Sequence, residues 1–146
     1  MVLISTPEAM FELGRSIGPR LRAGDVLVLN GALGAGKTLL TQGIGDSIGI
    51  TDITSPTFVI CRIHKGTLPL IHVDAYRLLQ SKNSFFSLDD LDIDSQRDGA
   101  ITIVEWGGDL AARLSDERLE ISIDRTRDVR ELKSVGFGRR WEHFTL

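Results

Sequence analysis

One cysteine, Cys61, in 146 residues excludes an internal disulfide, so the chain is not built for an oxidising compartment. The cysteine sits in an alternating strand pattern and reads as a packing residue. Histidine is nearly as scarce, and positions 64, 72 and 143 match no zinc-ligand spacing. Long apolar runs are missing as well: none approaches the roughly twenty residues that a membrane-crossing helix needs. The N-terminus lacks the basic start and apolar stretch of a signal peptide, so a cytoplasmic address without a membrane is the expectation. Positive charge is not in excess. With 17 Lys plus Arg against 20 Asp plus Glu, the net charge of −3 argues against gripping nucleic acid unaided, so any RNA connection needs a partner.

What remains is the composition of an ordinary soluble domain, 42% hydrophobic and 25% charged. The length fits one domain, residues 1–146, with enough material for a real core. Its chemically informative stretch is GALGAGKT, Gly31 to Thr38, a full match to the phosphate-binding pattern GxxxxGK[ST]. Glycines let the backbone curl around a polyphosphate, and successive amide N–H groups then point at its oxygens. The apolar run Val26 to Leu29 precedes the motif, and Leu40, Ile44 and Ile48 follow it at helical spacing. The motif therefore sits where a strand turns into a helix, whose positive dipole end adds to anion binding. Gly31, Ala32, Leu33, Gly34, Ala35, Gly36, Lys37, Thr38 and Leu39 are the expected nucleotide-binding residues. Lys37 supplies a mobile cation for the β and γ phosphates, and Thr38 a hydroxyl for Mg²⁺.

Elsewhere the patterning alternates between periods of two and 3.6. Met1 to Ile4 reads as a short strand, and Thr6-Pro7-Glu8 as a helix start continued by Met10, Leu13, Ile17 and Leu21. Thr57 to His64 and Leu70 to Asp74 form an expected antiparallel hairpin around Lys65-Gly66-Thr67. Ser81 to Asp98 is polar, expected as loop and short helix; its Asp90-Leu91-Asp92 stretch fails as a Ca²⁺ loop because Ser95 stands where glycine is required. Ile101 to Val104 is a buried strand ending in Glu105-Trp106, and Asp109 to Leu114 a short helix. The alternation of Leu119, Ile121 and Ile123 is a strand to which Val129 to Phe137 pairs, and the tail GRRWEHFTL adds an edge strand. These elements predict an α/β fold of the P-loop NTPase sandwich type: a mixed sheet with a parallel centre and antiparallel edge strands, helices on its faces.

A bound triphosphate needs Mg²⁺, and carboxylates are delivered to it from strand ends. Asp74 and Glu105 each close an apolar strand, and carboxylate count alone does not rank them. We assign Asp74 as the metal carboxylate, usually through water, and Glu105 as the group that positions the attacking water or makes a second, outer-shell contact at the metal. Thr57, in the Ser55-Pro56-Thr57-Phe58 loop that enters a strand, is a candidate γ-phosphate sensor. Two charge patches, five aspartates within Asp89 to Asp98 and six basic residues within Arg125 to Arg140, read as solvated faces.

LNGALGAGKT, SPTF, HVDAYRL and VEWG, in this order and at these separations, resemble the TsaE family of small bacterial P-loop ATPases. The resemblance runs from about Thr6 to Ile123. It implies ATP and Mg²⁺ binding, slow hydrolysis alone, and action with the TsaB and TsaD proteins. That pair transfers a threonylcarbamoyl group to adenosine 37 of tRNAs reading codons that begin with A, and ATP hydrolysis resets it. The resemblance also implies that Lys37 and Thr38 are phosphate and Mg²⁺ residues, that Thr57 belongs to a switch-like loop, and that Asp74 is in the metal-site motif. Glu105 and Trp106 correspond to a pair required for activity. Ala32 and Leu39 depart from the common GDLGAGKTT without removing a phosphate ligand, and VICRIH departs from an aromatic and acidic pattern, which bears on partner contacts. A small-molecule kinase and a nucleotide-gated binding module are the competing expectations.

Overall fold

A computed structural model describes residues 1–55, 61–75, 93–106, 112–125 and 128–146. The chain starts with β1 (Val2–Ile4) and α1 (Pro7–Ile17). Thr6 caps α1 as its sequence predicts: the Oγ1 accepts the Ala9 N–H at 3.1 Å, and Pro7 occupies the first turn, where no N–H is needed. After a 3-10 turn, β2 (Val26–Gly31) feeds the glycine-rich loop and α2 (Lys37–Ser47). β3 (Cys61–His64), β4 (Leu70–Asp74), α3 (Ile93–Arg97), β5 (Ile101–Glu105), β6 (Arg118–Arg125) and β7 (Arg130–Phe137) follow.

The described strands form one sheet in the order β1-β7-β6-β2-β5-β4-β3. β6, β2, β5 and β4 run parallel; β3 at one edge and β7 with β1 at the other pair antiparallel. The mixed sheet with its parallel centre is as the patterning predicts. β2 lies in the middle because Val26 to Leu29 are apolar on both faces, which only a doubly covered parallel strand tolerates.

Strand parity then decides what reaches the helices. Leu27 and Leu29 of β2, Ile101 and Ile103 of β5, Leu70 of β4, and Leu119, Ile121 and Ile123 of β6 meet Leu40 and Ile44 of α2 and Met10 and Ile17 of α1 in the main core. On the opposite face Ile71, Val73 and Val104 pack with Ala75, Ala100 and Leu114. By the same period of two, His72, Asp74 and Glu105 lie in the rows that face α2.

α1 and α2 touch backbone to backbone. A Cβ added at Gly43 would lie 2.1 Å from the Phe11 carbonyl oxygen, and one at Gly14 2.3 Å from that of Leu40. The P-loop helix is thus seated at a separation that only glycine permits.

The tail corrects an expectation. Its first part is a 3-10 turn, Arg139–Trp141, and adds no strand. Trp141 is buried in the main core and stacks edge-on against Phe144, at 5.5 Å between ring centroids. Arg140 donates from Nε and Nη2 to the two oxygens of Asp25, at 2.9 and 2.7 Å. Asp25 is only 4% exposed and immediately precedes β2, so this bidentate pair ties the tail to the root of the strand that carries the P-loop. Of the hairpin expected over Thr57 to His64, the described part is β3; residues 56–60 lie outside the described residues, as do 76–92 and 107–111, which hold the first half of the helix expected over Asp109 to Leu114, while Ala112 to Leu114 are helical.

Candidate functional site

The glycine-rich loop leaves β2 and enters α2 through Gly36, whose φ of 111° lies in the left-handed region. Lys37 is the first residue of α2, and its side chain folds back over the loop. Its Nζ donates to the carbonyls of Gly31 at 2.8 Å and Ala32 at 3.0 Å. It also lies 4.1 Å from the centre of the Trp106 ring, a cation–π distance. Burial pushes the Lys37 pKa down from its ordinary value, opposed by the negative charges of Glu105 and Asp74.

Trp106 is held there by its backbone. It has φ 62°, the one non-glycine positive φ among the described residues, while its N–H donates to the Leu29 carbonyl at 2.9 Å. A left-handed tryptophan costs about 1–3 kcal/mol, and strain of this kind concentrates at functional sites. The turn aims the indole from the end of β5 across to the lysine at the start of α2.

The two candidate carboxylates are brought side by side. Asp74 and Glu105 are register partners on the parallel strands β4 and β5. Glu105 Oε1 accepts the Thr38 hydroxyl at 3.4 Å and approaches the His72 Nε2 at 2.9 Å. A hydroxyl and two carboxylates make a hard-oxygen set suited to Mg²⁺, which typically takes one or two carboxylates and completes its shell with substrate phosphates and water. The predicted set Thr38, Asp74 and Glu105 therefore fits that ion.

Around these groups is a cavity of about 690 Å³, within the usual size of a small-molecule site. Leu33, Gly34, Gly36, Lys37, Thr38 and Leu39 line one side, and Gln42, Ser55, Asp74, Glu105 and Trp106 complete the described wall. Gly31, Ala32 and Ala35 stand behind it, the first two as carbonyl acceptors for Lys37 and Ala35 buried in the core. Thr57, the expected γ-phosphate sensor, lies outside the described residues.

Two residues near this site have no role of their own in the sequence reading. His72 is one: it stands in the HVDAYRL stretch of the resemblance, and its own signal is a polar residue interrupting the apolar run Leu70 to Val73. The other is Arg130, at the start of β7, whose Nε donates to the Ala35 carbonyl at 3.0 Å. It braces the loop from 95 positions away in the chain. Arg130→Ala is expected to weaken nucleotide binding about five- to tenfold, the worth of one hydrogen bond that holds a loop in shape, as read by calorimetric titration.

Comparison with known proteins fits this geometry. The family described as threonylcarbamoyl adenosine biosynthesis protein TsaE matches residues 4–132. The chain belongs to the TsaE family. A Streptomyces coelicolor protein named tRNA threonylcarbamoyladenosine biosynthesis protein TsaE is 43% identical over 141 residues, 90% of this chain and 93% of the relative. The Bacillus subtilis protein of the same name is 38% identical over 140 residues, covering 93% and 85%. A crystal structure of Bacillus subtilis YdiB superposes with a TM-score of 0.78 at 34% identity, covering 97% of this chain and 87% of that one. All four TsaE-like stretches of the sequence, LNGALGAGKT, SPTF, HVDAYRL and VEWG, fall within the matched span. Among the described residues no helix is long and apolar enough to cross a membrane.

Proposed function

We propose that this chain is a Mg²⁺-dependent ATPase that supports threonylcarbamoylation of adenosine 37 in tRNAs reading codons that begin with A. In this reading it couples ATP binding and hydrolysis to the TsaB–TsaD pair and meets tRNA through that complex, in the cytoplasm. The observation that carries the reading is the convergence of Lys37, Thr38, Asp74 and Glu105 on one cavity in a chain of the TsaE family.

The chemistry follows from where each group starts. Lys37 exchanges its two carbonyl acceptors for oxygens of the β and γ phosphates, the amides of the loop take the remaining charge, and Gly36 lets the backbone come close. The Thr38 hydroxyl and Asp74 would hold Mg²⁺, and the ion would supply neutralising charge for the phosphate oxygens. Glu105 accepts a hydrogen bond from the attacking water and orients it in line with the γ phosphorus. The bond from phosphorus to the bridging oxygen breaks as the bond to water forms, the water's proton passes to the phosphate that is released, and ADP and phosphate leave. Trp106 covers the lysine and limits the entry of bulk water.

Glu105→Ala separates this function from its competitors. It is expected to keep ATP binding within a few-fold while losing 100-fold or more in turnover, together with repeated cycles of tRNA modification by TsaB and TsaD. Intact modification without turnover would instead make the chain a nucleotide-gated docking module. No turnover by the wild type in the presence of TsaB, TsaD and tRNA sinks the ATPase reading.

A further inference from the structure

We infer that His72 is a positioning residue: its Nε2–H holds Oε1 of Glu105 and so fixes where the second carboxylate oxygen points in the cavity. The inference rests on Glu105 being the water-positioning group of the ATPase read above. Its basis is the arrangement of β4 and β5. His72 is fully buried, in the row between Leu70 and Asp74 that faces α2, where parity calls for an apolar side chain. Its register partner Ile103 is apolar, and Glu105 lies two residues further along β5, on the same face.

The proton can be assigned. Glu105 as a carboxylate only accepts, so the 2.9 Å contact requires a hydrogen on Nε2. Among the described residues Nδ1 has no partner. A ring with its proton on Nδ1 would bury an unpaired donor and turn a lone pair towards the carboxylate, so the Nε2–H tautomer is the one that fits.

Among the described residues both hydrogen bonds to Glu105 fall on Oε1, from Thr38 and from His72. Thr38 is needed elsewhere once a nucleotide and its metal arrive, and the 3.4 Å contact is long. His72 cannot leave, because strand and core enclose it. It is therefore the donor that keeps the carboxylate in one rotamer through the cycle, which leaves Oε2 to meet water. Outer contacts of this kind commonly cost ten- to a hundredfold when removed.

The test pairs His72→Leu, which keeps shape without a donor, with His72→Gln, whose amide nitrogen reaches about as far as Nε2. With TsaB, TsaD and tRNA present, the leucine variant is expected to lose ten- to a hundredfold in kcat with KM for ATP within threefold, and the glutamine variant to recover to within threefold of wild type. Equal loss in both variants, or a loss confined to KM, overturns the positioning role. A second measurement does not depend on turnover: long-range ¹H–¹⁵N correlation of the wild-type ring should show the Nε2–H form, with the Nε2 signal moved by Glu105→Gln. A ring protonated on Nδ1, or an Nε2 signal indifferent to Glu105→Gln, overturns the inference even if no variant folds. Should the wild type turn over no ATP, the ATPase reading fails, and this ring measurement alone decides whether His72 holds Glu105.

Discussion

Gly43→Ala is expected to destabilise the fold by about 3 kcal/mol, although alanine is the better helix former by about 1 kcal/mol at an exposed site. The added methyl would lie 2.1 Å from the Phe11 carbonyl oxygen and 3.0 Å from the Gly14 Cα. Both are backbone atoms, so no side chain can rotate away, and α1 and α2 must move apart. Separation opens the contacts of Met10 and Ile17 with Leu40 and Ile44 across the main core, and the lost packing exceeds the propensity gain. Against a typical total of 5–15 kcal/mol this is a large share. Denaturant unfolding reads it as a lowered midpoint. Gly14→Ala should cost a similar amount, because its methyl meets the Leu40 carbonyl at 2.3 Å. The double variant should cost less than the sum, since either change already separates the helices. Gly99→Ala is the control: its added methyl meets nothing nearer than 3.9 Å, and its effect should stay within about 0.5 kcal/mol. A Gly43→Ala protein as stable as the wild type would mean that α1 does not fix the seat of the P-loop helix.

The parts of this molecule that are legible in its sequence are the local ones. Gly31 to Thr38 is legible because eight consecutive residues carry the whole GxxxxGK[ST] pattern. Asp74 and Glu105 stand out as acids closing apolar strands, and the fold places them as register partners on β4 and β5. Thr6 with Pro7 marks a helix start through contacts within one turn. What the sequence does not reveal depends on pairing between distant segments. His72 meets Glu105 because β4 and β5 lie parallel with His72 opposite Ile103, and no pattern within either strand states that register. Arg130 reaches the loop because β7 follows β6 back across the sheet, and its charge alone placed it on a solvated face. The tail departs from its expected strand for the same reason. Its expected strand is replaced by a turn that puts Trp141 in the core and Arg140 on Asp25, an outcome decided by a buried carboxylate 115 positions earlier.

Lys37→Ala should abolish measurable nucleotide binding while leaving a folded protein. The ammonium makes two hydrogen bonds to loop carbonyls, and a bound nucleotide would replace these neutral acceptors with charged phosphate oxygens. Charge-assisted hydrogen bonds contribute about 1.5–3 kcal/mol each, so two of them correspond to a loss of a hundredfold or more in affinity. The effect on folding is small because two terms oppose. Removing the lysine strands the Gly31 and Ala32 carbonyls near a ring that loses its cation, but it also removes a desolvated charge, so the unfolding midpoint should move little. The same desolvation gives a pH signature. Burial lowers the Lys37 pKa below its ordinary 10.5, which means the folded protein releases that proton before the unfolded chain does. Below the lowered value the buried charge is a cost to folding, and that cost is relieved as pH rises from there towards 10.5. Nucleotide binding has the opposite sign, since phosphate needs the charged form. Affinity for ATP should therefore decline at a pH below that at which ordinary lysines titrate, while apo stability gains from the same deprotonation. Titration calorimetry of the wild type across that range checks the first sign, and denaturant unfolding of the wild type against Lys37→Ala checks the second; an affinity that holds level until ordinary lysines lose their protons would mean that Lys37 is not desolvated in the working site.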